Sequence, residues 1–196
     1  MLKRTGWISL FIYLTLLLFS CLASEEDGAS AEASEPLEVP EEKYPKYLTL
    51  VDGLHITGTP IETDIETYRL SVSGKVKKPL SLSFDDVKSM DSKRIHMDLN
   101  CPGFFTDSGY WTGISIRDLL ELADIEPTAR RIQFISMDGF YKKTIEIDDI
   151  QSRNILIAYA FEDEEFPVYH GYPLRVAAEG LAGNVWVKWL GEIEVW

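Results

Sequence analysis

The residues of this sequence best suited to chemistry are one cysteine, one histidine and two cations, all in its second half. Cys101 stands in Asn100-Cys101-Pro102-Gly103, a turn at the end of an alternating apolar segment. A thiolate there would be a soft ligand for a metal, and coordination deprotonates a thiol outright. A lone cysteine is also among the residue types most often simply buried, so the residue by itself leaves both readings open. Further on come His170-Gly171-Tyr172-Pro173-Leu174-Arg175 and Gly183-Asn184-Val185-Trp186-Val187-Lys188-Trp189-Leu190. Arg175 offers a planar fork of donors and Lys188 a point charge, both suited to an anionic oxygen cluster. Arg175 alone could equally be an ordinary salt-bridge partner on a strand. His170 can donate from a ring nitrogen without adding a fixed charge. His55 and His96 read as structural, and Lys93 and Arg94 as weak candidates for an oxyanion pocket.

These residues need a scaffold, and the periodicity supplies one. Alternating apolar positions predict strands over Tyr68–Ser73, Arg94–Leu99 and Ile132–Ser136. Further strand-like segments run over Thr144–Ile147, Ile155–Ala160, Leu174–Ala177 and Val185–Val195. Ser83 followed by Phe84-Asp85-Asp86 predicts a capped short helix to about Met90. Ser115 caps a clearer helix whose apolar face is Ile116, Leu119, Leu120 and Leu122. Asp138-Gly139 is turn chemistry, and Glu162-Asp163-Glu164-Glu165 reads as a charged hairpin tip. Strands outnumber helices without strict alternation, so the expected class is α+β with mostly antiparallel or mixed sheets.

The chain has 196 residues, 45% hydrophobic and 26% charged, enough for one domain with appendages and a core that needs no staples. The formal charge of −13 excludes a nucleic-acid partner on electrostatic grounds, because phosphate backbones require a basic surface. Any anion must be held by a local basic cluster against that field. Residues 1–20 combine Lys3 and Arg4 with an apolar stretch from Trp7 to Phe19, the layout of an export signal. The stretch ends Leu18-Phe19-Ser20-Cys21, which resembles the lipobox of bacterial lipoproteins and makes Cys21 the expected lipidation site. Phe19 is bulkier than the small residue usual there, and an uncleaved anchor helix is the alternative. Residues 21–46 carry eight acidic residues and much Ser, Ala and Pro, which predicts a solvated, self-repelling tether. With Cys21 acylated, Cys101 has no disulfide partner and its presence needs a reason. Residues 47–67 are expected as a lead-in and 68–196 as the folded domain.

In their order and spacing these segments resemble the oxidoreductase molybdopterin-binding domain. That domain is shared by sulfite oxidases, plant nitrate reductases and bacterial methionine sulfoxide reductase catalytic subunits. The resemblance rests on Cys101 after a strand, Tyr110-Trp111-Thr112-Gly113, Ile116-Arg117-Asp118-Leu119-Leu120, Phe134 to Gly139, His170 to Arg175, and Gly183 to Leu190. It implies a sulfite oxidase-type molybdopterin-binding fold over about two thirds of the chain. It implies Cys101 as the catalytic thiolate ligand of molybdenum, and Asp138, His170, Arg175, Trp186, Val187 and Lys188 as molybdopterin-binding positions. In that setting Arg175 and Lys188 would face the cofactor's phosphate, and Asp138 would accept from the pterin nitrogens.

The implied activity is two-electron oxygen-atom transfer at molybdenum, on a small oxyanion or sulfoxide. Tethered outside the cytoplasm to a bacterial membrane, such a domain would exchange electrons with a haem- or quinone-linked membrane partner, because the sequence carries no relay of its own. Two departures matter. The short Cys101–Trp111 gap is closer to compact bacterial members, and the sequence ends at Trp196 where sulfite oxidases continue. Lys3-Arg4 is also only a variant of a twin-arginine signal. Export in an unfolded state would deliver the protein without cofactor, which keeps a tethered, non-catalytic binding module as the alternative. A thiol-based redox role for Cys101 is a third reading, weakened by the absence of a resolving cysteine.

Overall fold

The computed structural model describes residues 43–196, so the expected signal, the Cys21 lipidation site and most of the tether lie outside the described residues. The strands are β1 (Leu50–Val51), β2 (Leu54–His55), β3 (Leu70–Gly74), β4 (Leu80–Leu82), β5 (Ser92–Cys101), β6 (Phe105–Ser115), β7 (Arg131–Ser136), β8 (Lys142–Glu146), β9 (Ile155–Phe161), β10 (Glu164–Glu165), β11 (Arg175–Ala178) and β12 (Leu190–Val195). The helices are α1 (Phe84–Ser89), α2 (Ile116–Leu122) and α3 (Ile147–Ser152). One sheet runs β10-β9-β6-β5 with β11 also on β9, and a second runs β4-β3-β12-β7-β8. Pairing is antiparallel except where β12 lies parallel to β3. The class is therefore α+β with mixed sheets and a few short helices.

Local chemistry explains the elements that position the site. Ser83 caps α1 through a capping box with Asp86, and Ser115 caps α2 by accepting from the Arg117 amide. Ile116, Leu119 and Leu120 bury against the sheets, each worth about 1.5–3 kcal/mol. Leu122 does not join them and is exposed, because it lies off the helix face that Ile116, Leu119, Leu120 and the buried Ala123 share. The core joins both sheets around Trp111, Phe134, Ile157 and Leu190, all fully buried.

Two expectations need correction. The segment Val185–Val195 is not one strand: Gly183–Val185 forms a 3-10 turn, and the strand begins only at Leu190. From Trp186 to Leu190 every residue is buried, so no alternation exists, and Trp189 takes a left-handed φ of 52°. That wrapped segment brings Trp186, Lys188 and Trp189 to one place. Second, β8 stops at Glu146 and Ile147 opens α3, whose Asp148 and Asp149 suit a helix first turn. The polar stretch after Cys101, to which the sequence pattern assigned no element, is strand β6, paired with β5 through ten residue pairs from Ser92↔Ile114 to Cys101↔Phe105. Its inward positions are Asp107, Gly109 and Trp111, and a carboxylate and a glycine on the inner face hide the alternation.

Residues 47–67 do more than lead in. Leu54 and Ile56 are buried in the core, and the β1–β2 hairpin reaches the site residues directly. The Glu162-Asp163 pair takes left-handed backbone at the β9–β10 tip, as a charged hairpin tip should.

Candidate functional site

Cys101 ends β5, the strand that carries it to the floor of a cavity of about 280 Å³. The walls include Tyr47, Thr57, Leu99, Tyr141, Arg175, Gly183, Trp186, Lys188 and Trp189. Gly183 comes so close that a Cβ there would overlap the Cys101 sulfur and press on the Asn100 carbonyl. The glycine is required by contact, not by φ. Gly183→Ala is therefore expected to displace the thiol and lower both cofactor content and turnover at least about tenfold, the range seen when the surroundings of a metal ligand are disturbed. Metal analysis of the purified variant checks this.

Arg175 opens β11 and is 4% exposed, yet among the described residues no carboxylate lies within ion-pair distance. Its guanidinium sits 5.0 Å from the Trp111 ring centre and 5.7 Å from that of Phe166. One nitrogen donates to the His170 carbonyl at 3.0 Å, while Nε is buried without a partner. Burial pulls its pKa down to about 9, opposed by Asp107 and Cys101. Lys188 is also buried, and its ammonium donates to the carbonyls of Thr57 and, at 2.8 Å, Tyr169. Burial first, and Arg175 second, lower its pKa to about 6. Gly171, at φ 107°, lets the chain pass against the Lys188 stem where a Cβ would meet it at 2.9 Å. In the empty protein Arg175, and Lys188 whenever it is protonated, have no counter-ion among the described residues, at a cost of several kcal/mol for each buried charge. An anionic group bound between them offsets that cost.

This arrangement has a pH signature. In the unloaded protein the folded pKa of Lys188 lies below its unfolded value near 10.5, and that of His170 falls to about 4 from 6.5. At these two sites the unfolded chain thus binds more protons between pH 4 and 10.5, so both make stability rise with pH across that window. The unloaded protein should unfold at higher denaturant concentration at pH 9 than at pH 6.5. Lys188→Met should flatten that slope, and an unchanged slope would show that Lys188 is solvated.

His170 is 1% exposed. Its Nε2–H donates to the Val51 carbonyl at 2.8 Å, leaving Nδ1 buried and unpartnered. The ring keeps its neutral form and donates without a fixed charge, but to the β1 backbone, which leaves its open atom an acceptor. His170 lies behind the cavity wall, tied to it through Arg175. Val187 is fully buried, its carbonyl accepting from Val176, so it secures the wall from inside the core. Asp138 is exposed in the β7–β8 turn, where its carboxylate accepts from Ser136 Oγ at 2.5 Å and the Phe140 amide at 3.0 Å. It borders a separate open depression and does not reach the Cys101 cavity. Lys93 and Arg94 are also elsewhere. Lys93 pairs with Asp118, and Arg94 forms a two-point contact with Asp163 while stacking on Tyr110. Neither can supply an oxyanion pocket.

Sequence reasoning missed Tyr47, Thr57, Tyr141 and Gly183 on the cavity, and the pair His55–Asp107 beside it. Asp107 is 3% exposed and accepts from the His55 ring Nδ1 at 2.5 Å and its amide at 2.7 Å. The signal for Asp107 was an acid at an inward register position of β6, invisible until that strand is recognised. Gly183 and Trp186 lay within a quoted motif, whereas nothing local marks Tyr47 or Thr57.

The cavity therefore joins a soft sulfur ligand to two buried, uncompensated cations, and an unpaired buried histidine nitrogen stands behind its wall. A molybdopterin would fit this donor set: the sulfur for the metal and the cations for the phosphate. The sequence pattern of the oxidoreductase molybdopterin binding domain matches residues 56–196. The chain belongs to that family. The match begins within the segment that carries His55 and Thr57. Among its relatives, the uncharacterized oxidoreductase YuiH of Bacillus subtilis is 30% identical over 72% of this chain and 71% of its own. Sulfite oxidase of Arabidopsis thaliana is 26% identical over 76% of this chain but 48% of that protein. The NADH nitrate reductase of Volvox carteri is 28% identical over 65% of this chain and 18% of its own. Among solved structures, sulfane dehydrogenase SoxCD from Paracoccus pantotrophus superposes with a TM-score of 0.65 at 20% identity. That match covers 88% of this chain and 56% of the other, and it shows a shared fold. The chain thus spans about half or less of the sulfite oxidase and nitrate reductase relatives, and most of YuiH.

Proposed function

We propose that this protein is a molybdopterin-dependent oxidoreductase performing two-electron oxygen-atom transfer on a small oxyanion or sulfoxide. It would be held by an N-terminal lipid at Cys21 on the outer side of a bacterial membrane. One observation carries the reading: Cys101 shares its cavity with Arg175 and Lys188, two buried cations that have no carboxylate partner among the described residues. When bound, the cofactor supplies the redox and oxo-transfer chemistry, while the protein supplies binding, orientation and electrostatics. Cys101 would hold the metal, Arg175 and Lys188 the phosphate, and Trp186 and Trp189 the apolar walls that exclude water. A haem- or quinone-linked membrane protein would carry the electrons.

The unloaded thiol supports this over direct thiol chemistry. Burial and the Asp107 carboxylate raise the Cys101 pKa, against a smaller opposing pull from Arg175, so the nucleophilic thiolate is scarce at neutral pH. A metal removes that obstacle by replacing the proton. A tethered, non-catalytic module would have no use for a sulfur on a cavity floor between cations.

The test is the molybdenum and pterin content of the full chain, purified from a host able to make the cofactor. Near-stoichiometric metal is the expected result. A metal-free protein exported from the cytoplasm by its own signal would sink the enzyme reading in favour of the binding module.

A further inference from the structure

Next to the Cys101 cavity lies a second space of about 370 Å³, sharing Tyr47, Thr57, Cys101, Tyr141 and Gly183 with it. Its remaining walls are apolar or uncharged, chiefly Leu48, Phe104, Phe105 and Asn184. Among the described residues no charged side chain lines it. Phe104, at 74% exposed, and Tyr47, at 67%, form its outer lip, and the Tyr141 hydroxyl donates to the Asn184 carbonyl at 2.7 Å across its boundary. Phe104 projects from the Cys101–Phe105 turn, held by its amide donating to the Cys101 carbonyl at 3.0 Å.

We infer that this vestibule receives an uncharged organic substrate with a flat apolar body, such as an aryl sulfoxide or amine oxide, in preference to a small oxyanion. The inference rests on the oxidoreductase reading and narrows it. An oxyanion must be desolvated to reach the sulfur and needs fixed cations to replace its water. Among the described residues the cations that could do so do not line the vestibule: Arg175 and Lys188 line the neighbouring cavity, and Lys93 and Arg94 are paired with acids elsewhere. The acidic chain, at −13 overall, adds a repulsive field. An aromatic lip, in contrast, stabilises a flat apolar group through area burial and ring stacking. In the reductive direction the sulfur–oxygen bond breaks, two protons and two electrons are taken up, and the thioether and water leave. The electrons come from a reduced one-electron carrier, supplied in the assay as reduced viologen.

The experiment compares methyl phenyl sulfoxide, dimethyl sulfoxide and nitrate on the molybdenum-loaded full chain, by turnover and by calorimetric titration. Methyl phenyl sulfoxide should exceed both others in kcat/KM by about tenfold or more, the effect of burying one aromatic group. Phe104→Ala should weaken its binding about tenfold in loaded and unloaded protein alike, and raise KM with little change in kcat. Nitrate turned over as efficiently as the aryl sulfoxide would overturn the inference, as would aryl sulfoxide binding indifferent to Phe104→Ala. Phe104-dependent binding without any turnover by loaded protein would support the vestibule's preference and overturn the oxidoreductase reading instead.

Discussion

Replacing Cys101 by serine is expected to abolish turnover, by at least about a hundredfold, while the protein remains folded. Disturbing even the groups around a metal's ligands costs about 10–100-fold in affinity or activity, so removing the ligand itself sets a higher floor. The fold should tolerate the change. Cys101 is half-buried, its carbonyl already accepts from the Phe104 amide, and its backbone pairs with Phe105 whichever atom caps the side chain. Stability should therefore move by about 1 kcal/mol or less, within the range of uncomplicated substitutions. Metal content, turnover and denaturant midpoint measured on one preparation separate the two effects. Turnover retained in Cys101→Ser would remove the thiolate from the mechanism. Loss of fold would instead show that the sulfur is a packing group.

Arg175→Met should produce effects of opposite sign on the empty and the loaded protein. In the empty protein Arg175 is a buried cation between Trp111 and Phe166, with Nε unpartnered and no carboxylate in contact among the described residues. Replacing buried charge by a hydrophobe of similar volume commonly stabilises by about 1–4 kcal/mol. Loss of the hydrogen bond to the His170 carbonyl subtracts about 1 kcal/mol. The empty variant should therefore melt at or above the parent's temperature. Its cofactor affinity should fall about 10–100-fold, because a charge-assisted hydrogen bond to a phosphate is worth about 1.5–3 kcal/mol. Pterin fluorescence and metal content would read the second effect, and thermal unfolding of the unloaded protein the first. A less stable empty variant with unchanged occupancy would assign Arg175 to the core.

Both predictions turn on what the cavity is for, and that was legible in the sequence only in part. The sequence marked Cys101, Arg175 and Lys188 as unusual because a strand-end thiol and spaced cations in an acidic chain ask for an explanation. The caps at Ser83 and Ser115 were readable because an N-cap acts on amides two or three residues away. The strand-rich class was readable because alternation is local.

What only the tertiary structure decided was which of these residues share a space. Lys188 meets Thr57 across 131 residues of sequence, and His170 meets Val51 across 119, contacts that no periodicity encodes. Trp186 to Trp189, apolar but for Lys188, looked like part of a strand, but burial on all sides allowed the backbone to wrap instead. Asp138 had the right chemistry for a ligand, yet its carboxylate satisfies its own turn, because a short polar side chain finds neighbouring amides before distant partners. The sequence by itself thus determined residue chemistry and local elements, whose forces act over a few residues. The tertiary structure decided the cavity, its uncompensated charge and its uncharged vestibule, because these depend on groups brought together only when both sheets close over one core.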